Sequence, residues 1–420
     1  MMARTIDRRR FLAGSAAWLG AGGIGLMGCA RHDPGRYTTE DQAALARQQR
    51  EERAASGQGP FGRRVYAGYR GLAELPWFEL DDAGRLVLID ESVPAAIDFH
   101  THLGFSLLFE PHLDLSAPTE RVRHFLDCDA STPGCALDLD VYVNANFSDE
   151  ALGDLSWATL TQGLWGNDFI RTHTIPNLLA EMDRTGVERA ILLPIVFDLP
   201  FGDRVEQTWL AGVEATKAHE RLSVGTSVHL EQEDRVECLE RAAARGARVV
   251  KMHPTVQAFY PDDPRAMEIY AAAERLGLVI FFHGGRAGVE PEGRQRYALP
   301  RHYEAAFSTF PDLPFAIGHG GARDGAAMLE LALRHDNVWL GIHGQSVTHL
   351  DEMIRRTDGE RLLFGTDWPW YHLAASLAKV LIVTEDPARH PVRDAILRDN
   401  AEHLLARKPN DPTRSEAGRA

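Results

Sequence analysis

The chain has 420 residues, 44% hydrophobic and 25% charged, with 37 glycines and 22 prolines; this composition excludes intrinsic disorder, collagen-like repeats and disulfide-dense miniprotein scaffolds. Its net charge of −15 argues against a nucleic-acid partner, because binding a phosphate backbone needs clustered Lys and Arg. The length allows two or three domains, or one α/β barrel of about 250 residues with flanking segments.

Residues 1–28 read as an export signal, outside the fold. Arg8, Arg9 and Arg10 precede Phe11 and Leu12, and Ala13 to Met27 form an apolar stretch shorter than the ~20 residues a membrane helix needs. Asp7-Arg-Arg-Arg-Phe-Leu12 resembles the twin-arginine export motif, and the glycines that dilute the apolar stretch suit a route for folded, cofactor-loaded cargo. Leu26-Met27-Gly28-Cys29 resembles a bacterial lipobox. It predicts lipidation of Cys29 and a periplasmic, membrane-anchored lipoprotein; an ordinary secretory signal with an incidental cysteine is the plainer alternative. The remaining body is acidic, so any membrane attachment comes through that anchor. Residues 29–94 read as a tether and surface segment, with a helical run from Glu40 to Ala55.

From Ala95 onward, short apolar runs alternate with helical stretches. The predicted strands are 95–100, 189–195, 222–229, 247–253, 278–283, 314–319, 337–343 and 362–367, rich in Val, Ile, Leu and Phe as buried parallel strands are. Helices are predicted over 175–185, 235–245, 264–276, 303–310 and 326–335, several stopped by Gly186, Gly246 or Gly277. Repeated β-then-α units fit a (β/α)8 TIM barrel or a doubly wound open sheet. The polar residues favour the barrel: most of these runs end in His and the last ends in Asp367, and barrel enzymes place their chemistry at the carboxyl ends of strands. The predicted barrel spans 95–408, with a polar tail at 409–420.

The first strand reads Ile97-Asp98-Phe99-His100-Thr101-His102. Strict alternation points His100 and His102 together into the barrel mouth and turns Phe99 toward the helices. A His-x-His pair alone is weak evidence. Its company is His283 in Phe-Phe-His-Gly-Gly, His319 in Gly-His-Gly-Gly and Asp367 in Gly-Thr-Asp-Trp-Pro. Singly, each His reads as a hydrogen-bonded core residue. Together they form the ligand set of one catalytic divalent metal, zinc first.

In order along the chain, Asp-Phe-His-Thr-His, Lys251-Met-His253-Pro, His-Gly-Gly, Gly-His-Gly-Gly, Gly-Thr-Asp-Trp-Pro and Asn400-Ala-Glu resemble the amidohydrolase superfamily. The nearer likeness is to its amidohydrolase-related group, which includes aminocarboxymuconate semialdehyde decarboxylase and several lactonases. The resemblance implies metal ligands at His100, His102, His283 and Asp367. Asp367 is also the implied proton shuttle, and His319 acts on substrate or water. Lys251 and His253 share a strand face and could both point inward. A carbamylated Lys251 would support a second ion, but the Lys-x-His-Pro form belongs to the single-metal group.

About 70 residues separate the first strand from the helix at Ile175, far above the usual 2–6 for such a connection. This segment, 103–174, reads as a lid, with Phe105, Phe109, Trp157, Trp165 and Phe169 available to cover a ligand. Cys128 and Cys135 flank a Pro-Gly turn and read as a disulfide. Arg286 could bind a substrate carboxylate or sit in a salt bridge, and Trp368 could line the pocket. The function implied is metal-dependent hydrolysis of a small lactone, ester or amide. The alternatives are a non-oxidative decarboxylase on the same site and a degenerate ligand-binding lipoprotein. The expected partner is a small-molecule substrate, and a homodimer is possible.

Overall fold

The computed structural model describes residues 36–105, 113–125, 127–128, 135–148, 151–153, 170–197 and 204–407. The export signal with Cys29, the polar tail, and Phe109, Trp157, Trp165 and Phe169 of the expected lid lie outside the described residues. The chain divides into two compact units, residues 1–44 and 45–420. In the first, Thr38 and Asp41 start helix α1 (Thr39–Ala55) with a capping box: each backbone N–H is accepted by the other's side chain, at 2.8 and 3.2 Å.

The second unit is built on a parallel barrel. Its strands are β1 (Ala96–Thr101), β2 (Val187–Leu192), β3 (Leu222–Val224, continued by Thr226–Ser227), β4 (Val249–Met252), β5 (Val279–His283), β6 (Phe315–Gly318), β7 (Val338–Gly341) and β8 (Leu362–Leu363). Each pairs in parallel with the next in sequence. The ring closes where the Phe99 N–H donates to Phe364 O at 2.9 Å, Asp367 N–H to His100 O at 2.8 Å and His102 N–H to Trp368 O at 2.7 Å. Gly225 lies between the two segments of β3, where a Cβ would stand 2.8 Å from Val249 O, so the close backbone approach requires glycine.

Helices α2 (Ile175–Thr185), α3 (Val205–Ala215), α4 (Arg235–Ala244), α5 (Pro264–Leu276), α6 (Glu304–Thr309), α7 (Gly325–Arg334), α8 (Val347–Thr357) and α9 (Leu373–Val383) pack outside. Gly186 and Gly277 end α2 and α5 in the left-handed conformation, as their positions predict. Between strands and helices lies a continuous core that includes Leu192, Val250, Ile280, Phe282, Ile317 and Leu340. Inside the barrel the alternate residues Ile191, Val249, Val279, Phe281, Ala316 and Leu363 form a second cluster.

Phe99 belongs to that inner cluster and stacks on Phe281 at 6.1 Å, which corrects its expected outward direction. The pairing of β1 with β2 shifts register between Asp98 and Thr101. Such an irregularity re-aims the chain, so Ile97 and Phe99 fill the barrel while His100 and His102 still reach its mouth. Residues 29–94 are also more than a tether. Val65–Ala67 pairs with Ala136–Asp138, Phe78–Leu80 pairs with Leu86–Leu88, and Tyr69, Leu72, Leu75, Phe78 and Leu86 join the outer core. Burying side chains of this size stabilises by about 1.5–3 kcal/mol each. Cys128 and Cys135 are disulfide-bonded.

Candidate metal centre

His319 and Asp367 stand just past the ends of their strands, with φ of 57° and 60°. For residues other than glycine this left-handed conformation costs roughly 1–3 kcal/mol. It ends strand pairing there and swings each side chain over the barrel axis. Asp98 braces the same corner: its Oδ1 accepts the His100 and Thr366 N–H groups at 3.0 and 3.1 Å, and its Oδ2 accepts the Thr366 hydroxyl at 2.5 Å. Burial pushes the Asp98 carboxyl up to about 7.

The protonation of each imidazole follows from its partners. His102 Nδ1 lies 2.8 Å from Leu193 O, a pure acceptor, so Nδ1 carries the proton and Nε2 is bare. His343 Nε2 accepts the His319 backbone N–H at 3.1 Å and therefore holds a lone pair. His100 Nδ1, 2.7 Å from that lone pair, must donate to it, which leaves His100 Nε2 bare as well. The two bare nitrogens are 3.1 Å apart, and Asp367 Oδ1 is 3.4 Å from one and 3.2 Å from the other. Three buried lone-pair donors thus face one another, an arrangement that calls for a cation between them.

Lys251 Nζ supplies one proton to this group, lying 2.9 Å from His100 Nε2 and 4.7 Å above the Phe281 ring. Burial lowers its ammonium to about 7. Burial also holds His100 well below the usual histidine range, with Lys251 adding to the effect. The donor set therefore fits a divalent metal: two neutral imidazoles and one carboxylate, with their lone pairs already oriented. A second cluster, His100, His319 and His343, is equally compact. It is the poorer candidate through His343 Nε2, whose lone pair is already taken by the His100 Nδ1–H and the His319 N–H.

His283 joins neither three-residue cluster among the described residues. Its Nε2 is 3.3 Å from Glu290 Oε1 and its Nδ1 is 3.1 Å from His319 Nε2. The Glu290 carboxylate also accepts the Ala287 and Gly288 N–H groups, each at 2.9 Å. Burial alone would raise the Glu290 carboxyl, but its bond with His283 helps to lower it. His319 Nε2 lies between His283 Nδ1 and Asp367 Oδ2, the latter at 3.8 Å. His253 stacks on His283 at 4.1 Å, and its Nδ1 caps the short helix Pro254–Gln257.

Two expected pocket residues serve elsewhere. Arg286 is committed to a buried salt bridge, with Nη2 2.6 Å from Asp324 Oδ1 and Nε 2.9 Å from Oδ2. Trp368 is fully buried, and its indole N–H donates to Glu181 Oε2 at 3.3 Å. Trp370 comes nearer the centre, 5.3 Å from the His102 ring. Sequence reasoning missed His343, Glu290 and Asp98. His343 had a visible signal, since it ends a predicted strand as the other histidines do.

The amidohydrolase family pattern matches residues 97–407. Among solved structures, an uncharacterised TIM-barrel protein from Bordetella bronchiseptica is 20% identical, with 74% of this chain and 98% of that one covered and a TM-score of 0.50. A 5-carboxyvanillate decarboxylase from Novosphingobium aromaticivorans, complexed with manganese, is 14% identical over 75% and 97% of the two chains, with a TM-score of 0.49. An amidohydrolase from Burkholderia multivorans with bound zinc is 16% identical over 56% and 88%, with a TM-score of 0.43. No curated protein matches the sequence. The family pattern covers well over half of the residues and contains every histidine and aspartate of the centre, and on that ground the chain belongs to the amidohydrolase family.

Proposed function

We propose that this protein is a metal-dependent hydrolase acting on a small lactone, ester or amide, with one divalent ion, zinc first, held by His100, His102 and Asp367. The observation that carries the reading is the convergence of the two bare Nε2 atoms on Asp367 Oδ1, within 3.1–3.4 Å. A divalent cation supplies Lewis acidity and acidifies water toward neutrality. Asp367 then has two tasks, one for each oxygen: Oδ1 faces the imidazoles, while Oδ2, turned toward His319, accepts a proton and returns it to the leaving group. His319, whose Nε2 is held by His283 Nδ1 and through it by Glu290, is placed to act on the substrate or its water.

Twin-arginine export and lipidation at Cys29 complete the proposal, since that route carries cargo folded around its metal. Elemental analysis of purified protein, followed by a screen of lactones, esters and aromatic acids that records proton and CO2 release separately, tests it. About one metal per chain and proton release without CO2 support the hydrolase. CO2 release replaces it with a decarboxylase at the same site. Protein that binds no metal ends the enzymatic reading.

A further inference from the structure

Away from the metal centre, the end of α1 and the strand pair Val65–Ala67 and Ala136–Asp138 frame an open cavity of about 400 Å³. That lies within the roughly 300–1,000 Å³ typical of small-molecule sites. Two exposed arginines, Arg53 and Arg63, line it. Several other exposed arginines meet carboxylates: Arg241 meets Asp234 at 2.9 Å, Arg275 meets Glu240 at 2.8 Å and Arg334 meets Glu304 at 2.9 Å. Arg53 and Arg63 make neither a hydrogen bond nor an ion pair among the described residues. A helix C-terminus favours a cation, which accounts for Arg53 in the last turn of α1. It does not account for Arg63, in the loop beyond. Gly57 turns that loop back against the helix end: its φ is 72°, and a Cβ there would stand 3.3 Å from Arg63 Cα.

The rest of the lining narrows the chemistry. Its one carboxylate, Asp138, is engaged by the protein: Oδ1 accepts the Asp140 N–H at 2.8 Å and Oδ2 accepts the Ser56 hydroxyl. Two guanidiniums against one carboxylate leave the cavity net positive, in a chain whose net charge is −15. A guanidinium fork receives a carboxylate through two parallel hydrogen bonds. Val65, Val141 and Ala145 add an apolar wall, which suits the body of an organic acid better than a bare inorganic anion. The wall is held in place before any ligand arrives. Asn146 Nδ2 donates to Asp138 O and Val143 O, each at 3.1 Å, and its Oδ1 accepts the Asp138 N–H at 2.7 Å.

We propose that this cavity is a second binding site, separate from the metal centre, for a small organic carboxylate. The acid group lies on Arg53 and Arg63, and the hydrocarbon body packs against Val65, Val141 and Ala145. None of these residues holds the metal ligands, so the site stands whether or not the hydrolase reading does.

The test titrates the purified full chain with benzoate, with its uncharged counterpart benzamide and with inorganic phosphate, by ligand-observed NMR at low ionic strength. Wild type should bind benzoate about tenfold more tightly than benzamide, and more tightly than phosphate. Arg53→Gln and Arg63→Gln, both at exposed positions, should each remove most of that preference. His100→Ala separates the cavity from the metal centre and should keep the part of the preference that depends on Arg63. Equal affinity for benzoate and benzamide in wild type overturns the site, as does a preference that survives both arginine substitutions. Loss of the Arg63-dependent part in His100→Ala also overturns it, because the carboxylate would then be read at the metal centre. Arginine-dependent binding of phosphate that is tighter than that of benzoate overturns the assignment to an organic acid.

Discussion

In the lower barrel, Ile97, Phe99, Val249, Val279, Phe281 and Ala316 fill the interior with apolar side chains. A few residues further along the same strands, His100, Lys251, His283 and His319 fill the same cross-section with titratable groups. Below, the period-two pattern sets each direction, and packing rewards it. Above, the strands end, His319 and Asp367 just past them hold left-handed backbone, and His319 Nδ1 and His343 Nδ1 are buried without a hydrogen-bond partner among the described residues. Stability concentrates in the lower layer and chemistry in the upper one. Phe281 joins them, because its ring supports both Lys251 and His100 at 4.7 Å.

The sharpest way to break this division is His100→Ala. It should abolish metal retention by elemental analysis, and turnover with it, while leaving the folded circular-dichroism spectrum; retention of one ion per chain would put the centre elsewhere. Phe281→Ala should do the opposite and cost about 3–5 kcal/mol in urea unfolding. A loss below about 1 kcal/mol would show that the lower layer is not where stability resides.

Lys379 extends the comparison to a buried charge outside the mouth. Its Nζ donates to Gln345 O at 2.6 Å, and burial lowers its ammonium from 10.5 to about 8, although Asp138, Glu52 and Asp140 pull the other way. Its folded pKa is depressed, so between about pH 8 and 10.5 the unfolded chain binds the extra proton and stability rises with pH. Below pH 8 the group costs about 3 kcal/mol relative to its deprotonated form. Unfolding of wild type measured against Lys379→Met should therefore shift in favour of wild type from pH 7 to pH 10. A gap that does not change with pH would remove the buried-charge account. The smallest effect is expected at His343, which bears on the proposed ligands through the His100 ring and otherwise braces the His319 N–H. His343→Ala should weaken metal affinity by about 10- to 100-fold in a chelator competition without abolishing binding.

Much of the barrel was legible in the sequence because it depends on local patterns: apolar runs at strand spacing, helices ended by glycine, and His or Asp at the carboxyl ends. The predicted strands run past the observed ones at His319, His343 and Asp367, since hydrophobicity marks burial whereas pairing stops where the backbone turns. The direction of Phe99 was not legible, because a register shift between neighbouring strands leaves no mark on either one. Nor were the roles of the buried Arg286 and Arg323. Both follow glycine-rich turns, and only the fold brings Arg286 onto Asp324 and Arg323 to within 3.7 Å of Glu52.

The sequence by itself determined the family, the strand-and-helix alternation and the residue types able to hold a metal, all carried by spacing along one chain. The tertiary structure decided which nitrogens of His100 and His102 are bare, that His283 reaches the centre through His319, and which carboxylate each buried arginine faces. Those outcomes depend on hydrogen-bond partners tens to hundreds of residues distant, and only closure of the ring brings them within 3 Å or so of one another.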